Sequence, residues 1–241
     1  NIIWLPPTQP PSFFYVTPRR FRPISVDSIL ILFAPIIEEI IFRLNFKELS
    51  TNKHIIDDIR CAAHTAHSDV NQFYGNGLPY SYHLDSVARY AIKYGHLVCN
   101  RHQDVLPLMF GAYFHDSIED ARLTYNDVTK TALSIGLSEE QAYMGAEIVY
   151  ALTNEKGRTR KERANERYYE GIRLTPYAPF CKMCDRLANL TFSAQQIDNS
   201  NKHMLEVYRN ELPHFISAIQ PEKNIDIRLS VPDIMIAEAY A

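Results

Sequence analysis

Val105-Leu-Pro-Leu-Met-Phe-Gly-Ala-Tyr-Phe-His-Asp-Ser-Ile-Glu-Asp120 is the stretch on which the reading of this chain turns. Its first part is almost entirely apolar, and it ends in His115, Asp116, Glu119 and Asp120. An apolar run of that kind predicts a buried helix. Placing carboxylates and an imidazole at the end of a core helix is costly unless a cation or a hydrogen-bond network compensates them. A bound metal is the simplest compensation. Glu119 lies four residues from His115 and three from Asp116, and Asp120 lies four from Asp116, so on a helix all four crowd one face. The competing reading is a helix C-terminus whose carboxylates face water and whose histidine is merely packed.

Further candidates lie on either side. Lys182, Asp185, Arg186 and Asn189 recur at i, i+3, i+4 and i+7 on an otherwise mostly apolar helical segment, a polar stripe that a solvated face would also produce. Upstream, Gly77-Leu-Pro-Tyr-Ser-Tyr-His83 delivers a histidine just after a Gly/Pro turn, at the expected start of a helix. His83, His115, Asp116 and Asp185 together form a mixed nitrogen and oxygen donor set. Such a set suits Mn²⁺, Fe²⁺ or Zn²⁺ better than a thiolate-bound structural zinc would.

With these residues in view the chain resembles the HD-domain metal phosphohydrolases, and among them the hydrolase domain of the RelA/SpoT homologue family, including its small stand-alone members. Ala62-Ala-His-Thr-Ala-His67 resembles the first helix motif, and Gly77 to His83 with Val87-Ala88 the G-x-P-Y-x-x-H-x-x-x-V-A block. His115-Asp-Ser-Ile-Glu-Asp120 resembles the H-D-x-x-E-D block, Lys161-Glu-Arg163 the E-R segment, and Lys182-Met-Cys-Asp-Arg-Leu-Ala-Asn189 the K-x-x-D-R-x-x-N block. Ordered blocks over residues 52–219 are far more specific than a lone histidine–aspartate pair. The resemblance implies an all-α HD-domain bundle with a buried metal site. It implies that His83, His115, Asp116 and Asp185 bind the metal, usually Mn²⁺. Glu119, the first choice for positioning water or shuttling its proton, and Asp120 would be the catalytic carboxylates. Asn189 would face the same cavity, while Lys182, Arg186 and Arg163 would neutralise substrate phosphates and Tyr80 would contact the substrate. Each of these three cations could equally serve a salt bridge.

One departure bears on the substrate. Family members usually carry basic residues shortly before the G-x-P-Y turn, where they contact the nucleotide, yet residues 71–76 contain neither lysine nor arginine. Their loss removes charge and cation–π stacking on a base. Tyr74, Tyr80 and Tyr82 could stack instead, although packed aromatics are the expectation for at least two of them.

Composition fits a cytoplasmic enzyme: 46% hydrophobic residues and a formal charge of −3 give no large basic field for nucleic acid. The four cysteines, Cys61, Cys99, Cys181 and Cys184, do not form a secreted disulfide framework, and Cys181-Lys-Met-Cys184 reads as buried free thiols rather than a redox or zinc motif.

The chain divides near Ser50 into a leading segment rich in proline and free of glycine (1–50), an HD domain (51–219) and a tail (220–241). Helices are expected over 52–70, 83–98, 104–119, 124–135, 138–153, 159–172, 177–196 and 200–218. Thr124 and Ser138 are candidate N-caps, Gly136 and Gly171 candidate stops. Strand signals are nearly absent. Ile56, Val87, Leu108, Met109, Ala112, Ile148 and Leu187 are candidate core, and residues 225–241 a short strand or helix.

The chain opens on Asn1 and its first methionine is Met109, which reads as a fragment, a processed product or an incomplete gene model. The apolar run at 29–37 falls short of the roughly 20 residues of a bilayer span and lacks the flanks of a signal peptide, so no membrane association is expected. Glu38-Glu39-Ile-Ile-Phe-Arg43 resembles the E-E-x-x-x-R motif of the CPBP intramembrane metalloproteases, but no further long apolar segment follows to build their bundle. The expectation there is a helix packed on the main domain or a vestige of fused sequence.

Three functional expectations follow. The first, implied by the resemblance, is a manganese-dependent hydrolase removing the 3′-pyrophosphate of guanosine tetra- or pentaphosphate to give GDP or GTP. Too little chain follows Ile219 for a synthetase domain, so such a product would degrade the alarmone without making it. The second keeps the chemistry but takes another nucleotide, such as a nucleoside monophosphate or a phosphorylated dinucleotide cofactor. The third is a non-catalytic helical binding module.

Overall fold

The computed structural model describes residues 52–75, 77–195, 199–220 and 226–241, with the side chains of 160–161 and 199–202 excepted. The leading segment, with its apolar run and the motif at 38–43, lies outside the described residues.

The fold is all-α. Helix α1 (Lys53–Asp69) runs into a two-residue antiparallel hairpin, β1 (Phe73–Tyr74) with β2 (Leu78–Pro79), in which Phe73 pairs with Pro79 and Tyr74 with Leu78. There follow α2 (Ser81–Tyr94), α3 (Val105–Phe114), α4 (Tyr125–Ile135), α5 (Glu139–Leu152), the short α6 (Arg160–Arg163), α7 (Glu166–Leu174), α8 (Ala178–Gln195), α9 (Asn199–Ile219) and α10 (Asp233–Tyr240).

Helix α3 is the axis of the bundle, and every one of its residues is buried. Its lack of a polar face explains why α1, α2, α5 and α8 can all pack on it. The packing is close: a Cβ at Gly111 would lie 2.5 Å from Ile148 Cγ2 of α5. Val87, Leu108, Met109, Ala112, Ile148 and Leu187 are core residues as expected, while Ile56 is only partly buried against them. Pro107 sits in the first turn of α3, where its missing N–H costs nothing.

The caps behave as their chemistry predicts. Thr124 and Ser138 each close a capping box, with Asp127 and Gln141 as the reciprocal partners, and Gly136 ends α4 in the left-handed region at φ 104°. Gly171 does not stop a helix but lies inside α7, where nothing approaches the position of a Cβ. The helix expected over 159–172 is instead two, because Asn165 accepts the Tyr168 N–H and starts α7 afresh.

The largest difference concerns the end of α3. The helix expected over 104–119 stops at Phe114, and residues 115–120 are tight turns in which Ser117 N–H donates to the Phe114 carbonyl and Asp120 N–H to that of Asp116. The polar residues therefore leave the helix where its apolar run ends.

The expected short element after residue 225 is a 3-10 turn, Ile227–Leu229, followed by α10. Val231 and Met235 are buried, and α10 lies along α8 and α9. Glu238 anchors it by accepting from Lys93, 2.9 Å away, and from the Tyr94 hydroxyl. Among the described residues no helix is long and apolar enough to cross a membrane.

Candidate metal centre

Three separate segments deliver the four donors proposed from sequence. His83 enters from the first turn of α2, His115 and Asp116 from the turn after α3, and Asp185 from the middle of α8. His83 Nε2 lies 3.1 Å from His115 Nε2, 3.5 Å from Asp116 Oδ2 and 3.4 Å from Asp185 Oδ1. His115 Nε2 lies 2.9 Å from Asp116 Oδ2 and 3.9 Å from Asp185 Oδ1. A cation bound at about 2.0–2.2 Å by each donor sets neighbouring donors roughly 3.0–3.5 Å apart. The observed spacings bracket that range: His83, His115 and Asp116 form a group that could hold a metal ion, and Asp185 Oδ1 lies within 3.9 Å of both histidines.

The surroundings orient the donors. His115 Nδ1 lies 3.0 Å from the Ala112 carbonyl, to which it donates, and this turns Nε2 into the cluster. Asp185 is held on both oxygens, by Lys182 Nζ at 2.9 Å and by Asn189 Nδ2 at 2.6 Å. Asn189 in turn accepts from the Tyr74 hydroxyl at 2.8 Å. Tyr74 reaches it because Gly75, at φ 51°, lets the hairpin close on Phe192: a Cβ there would fall 2.4 Å from the ring.

Charge in the cluster is strongly coupled. Burial opposes ionisation of Asp116 and Asp185, but His115 and His83 beside the first, and Lys182 and His83 beside the second, hold both carboxyls below the usual range. Burial likewise opposes a charge on His83, yet hydrogen bonds to Asp116 and Asp185 raise it to about 9. Lys182 is largely shielded too, which lowers its pKa, but Asp185 keeps it well above its ordinary value. The group thus attracts positive charge, whether a proton on His83 or a metal.

His83, Asp116 and Asp185 face a cavity of about 820 Å³, within the range of small-molecule sites. Every other sequence-predicted site residue except the buried His115 lines it: Glu119, Asp120, Asn189, Lys182, Arg186, Arg163 and Tyr80. They are not all disposed as helical spacing suggests. Glu119 is turned toward Asn154, whose Nδ2 donates to both of its oxygens at 2.9 and 2.7 Å. Asp120 instead accepts from Tyr80, and its carboxyl is raised by burial and by Asp116. Tyr80 is buried and hydrogen-bonded to carboxylates, a position unlike that of a free stacking surface. Arg186 sits 4.2 Å over Phe215 and 4.8 Å from the Tyr208 ring and reaches Glu211 at 3.4 Å.

Asn154 and the α9 face of Tyr208, Glu211, His214 and Phe215 also line the cavity without having been singled out. The α9 residues follow helical spacing and so were legible as one face. Asn154 carries no local signal, being a single polar residue after a helix end. Cys99, Cys181 and Cys184 are buried free thiols, as expected for Cys181 and Cys184, and Cys61 is an exposed one.

No known protein family matches the chain, and no curated protein matches it.

Proposed function

We propose that this chain is a divalent-metal-dependent phosphohydrolase of the HD type, most simply one that removes the 3′-pyrophosphate of guanosine tetra- or pentaphosphate, as its resemblance to the RelA/SpoT hydrolase domain implies. The observation that carries the reading is the convergence of His83, His115 and Asp116 at ligand spacing, with Asp185 beside both histidines, on a cavity that also holds further carboxylates. His83, His115, Asp116 and Asp185 would hold the cation. When bound, it would supply Lewis acidity, acidifying a water and taking up charge on a phosphoryl oxygen.

The chain's own groups do the rest. Glu119 is fixed by Asn154 with its carboxylate in the cavity, where it would orient the attacking water and accept its proton. Asn189 and Lys182 keep Asp185 facing the centre. Arg163, whose side chain is 45% exposed and only 3.9 Å from Glu119, is the cation freest to swing onto a phosphate.

Pyrophosphate release from guanosine tetraphosphate by the manganese-loaded full chain, beside a nucleotide panel, is the test. Release that Asp116→Ala abolishes and Glu119→Gln lowers by about 10²–10⁴-fold is the expected result. A second reading, hydrolysis of a different nucleotide, is favoured by the hairpin before the G-x-P-Y turn: Phe73 stands there 61% exposed and residues 71–76 offer no cation. Turnover of another nucleotide with silence on guanosine tetraphosphate would select it. No turnover by a folded, manganese-binding sample would leave a non-catalytic module.

A further inference from the structure

Tyr80 and His67 form a buried pair whose polar inventory does not balance. Their rings stack with centroids 4.5 Å apart and planes 6° from parallel, and His67 is 1% exposed. Among the described residues neither ring nitrogen of His67 has a hydrogen-bond partner. His67 therefore contributes a flat face and no polar contact, and burial lowers its pKa to about 4, which keeps it neutral. The polar output of the pair is the Tyr80 hydroxyl, which lies 2.6 Å from Asp116 Oδ2 and 2.8 Å from Asp120 Oδ2.

That Asp116 oxygen is the one that approaches both histidines, at 2.9 and 3.5 Å. A single hydroxyl thus touches the donor oxygen of the centre and a cavity carboxylate at once. Asp116 and Asp120 belong to a turn in which the Asp120 N–H donates to the Asp116 carbonyl, a bond that ties their backbones but does not set the direction of either carboxylate. Something else must do so.

We propose that Tyr80 is a positioning residue, a strut that locks the Asp116 donor oxygen and the Asp120 carboxylate into one geometry, with His67 as the plate that fixes the angle of its ring. The inference rests on the phosphohydrolase reading for its catalytic consequence, but not for its consequence on cation binding. A stacked aromatic suits the task because the neighbouring plate and the two acceptors leave the ring no alternative setting, which a flexible side chain would retain.

The test compares the full chain with its Tyr80→Phe variant, which keeps the ring and removes only the hydroxyl. Four quantities are read: Mn²⁺ affinity by the electron paramagnetic resonance signal of free Mn²⁺, kcat and KM on whichever nucleotide the wild type turns over, and melting temperature in chelator. The expected result is Mn²⁺ binding weakened about tenfold and kcat lowered by about 10–100-fold, the scale of losing an outer-shell partner, with KM within about twofold. His67→Ala should reproduce the pattern and His67→Phe, which restores a flat ring, should recover most of the loss. Unchanged Mn²⁺ affinity and unchanged kcat in Tyr80→Phe would overturn the proposal, as would a loss confined to KM. If the wild type binds Mn²⁺ but turns over nothing, the hydrolase reading fails and the affinity comparison still decides the role of Tyr80. If the wild type binds no Mn²⁺, both fail.

Discussion

Replacing Lys182 by methionine should destabilise the chelated protein sharply and yet make it bind a divalent cation more tightly. Lys182 Nζ lies 2.9 Å from Asp185 Oδ2, and the two side chains are 17% and 13% exposed. Removing one partner of a buried pair leaves the other charge uncompensated, at a cost of about 3–5 kcal/mol. In a body of this size 1 kcal/mol moves the melting temperature by roughly 2–4 °C, so a fall of about 6–12 °C is expected even at the lower figure. A cation at the centre reverses part of this. It supplies Asp185 with the charge it has lost, and it no longer feels repulsion from an ammonium group across the same carboxylate. By linkage, the extra affinity of the variant for Mn²⁺ must appear as extra stabilisation by Mn²⁺. Melting of wild type and Lys182→Met in chelator and in saturating Mn²⁺ gives the four values required. The deficit of the variant should shrink to less than half when Mn²⁺ is present. An equal deficit in both conditions, or weaker Mn²⁺ binding by Lys182→Met, would refute the placing of the cation against Asp185.

Mn²⁺ affinity should also depend on pH. With His83 raised to about 9 by its carboxylate neighbours against the effect of burial, a proton competes for Nε2 throughout the neutral range. Affinity should therefore fall as pH is lowered from 9 toward 6, by at most about tenfold per unit, and a flat profile in a calorimetric titration would count against His83 as a donor. Two glycines should respond to alanine in opposite directions. Gly111→Ala, whose Cβ would meet Ile148 Cγ2 at 2.5 Å, should cost about 1–3 kcal/mol in urea unfolding, whereas Gly171→Ala, with open space around it inside α7, should stabilise by about 0.5–1 kcal/mol. Equal effects would mean that α3 and α5 are not as closely apposed as described.

What was legible in the sequence was whatever local chemistry decides. The apolar run of α3, the capping residues Thr124 and Ser138, and the turn before His83 each carry their cause within a few residues, and each is found where expected. The end of α3 was not legible in that way. Residues 115–120 have acceptable helical spacing, and only the tertiary demand that His115 and Asp116 meet His83 and Asp185 favours turns over a further helical turn. The same demand separates Glu119 from Asp120: helical geometry put them on one face, but Asn154 and Tyr80 draw them to different partners. Asn165 was the opposite case, an N-cap visible in the sequence that splits the segment 159–172 and was passed over. Asn154 could not have been found, because its role depends on a residue 35 positions away.

The balance of charge around the cavity bears on what can enter it. Among the described lining residues, Asp116, Glu119, Asp120, Asp185 and Glu211 stand against Arg163, Lys182 and Arg186, a surplus of two carboxylates when all are ionised and His83 has given up its proton to a cation. One divalent cation cancels that surplus and leaves no excess positive field for a substrate with several phosphates. The cations are moreover engaged, Lys182 with Asp185, Arg186 with Glu211 and Arg163 near Glu119. Of these, Lys182 cannot leave without exposing a buried carboxylate, and Arg186 is held by the Phe215 and Tyr208 rings as well as by Glu211. Arg163, half in solvent, can exchange Glu119 for a phosphate at little cost, and in doing so would release Glu119 to act on water. Binding of one phosphoryl group and readying of the base would then be a single event, which makes Arg163→Ala a loss in kcat as well as in KM. A variant of Arg163 that raised KM alone would show instead that Glu119 is ready before the substrate arrives.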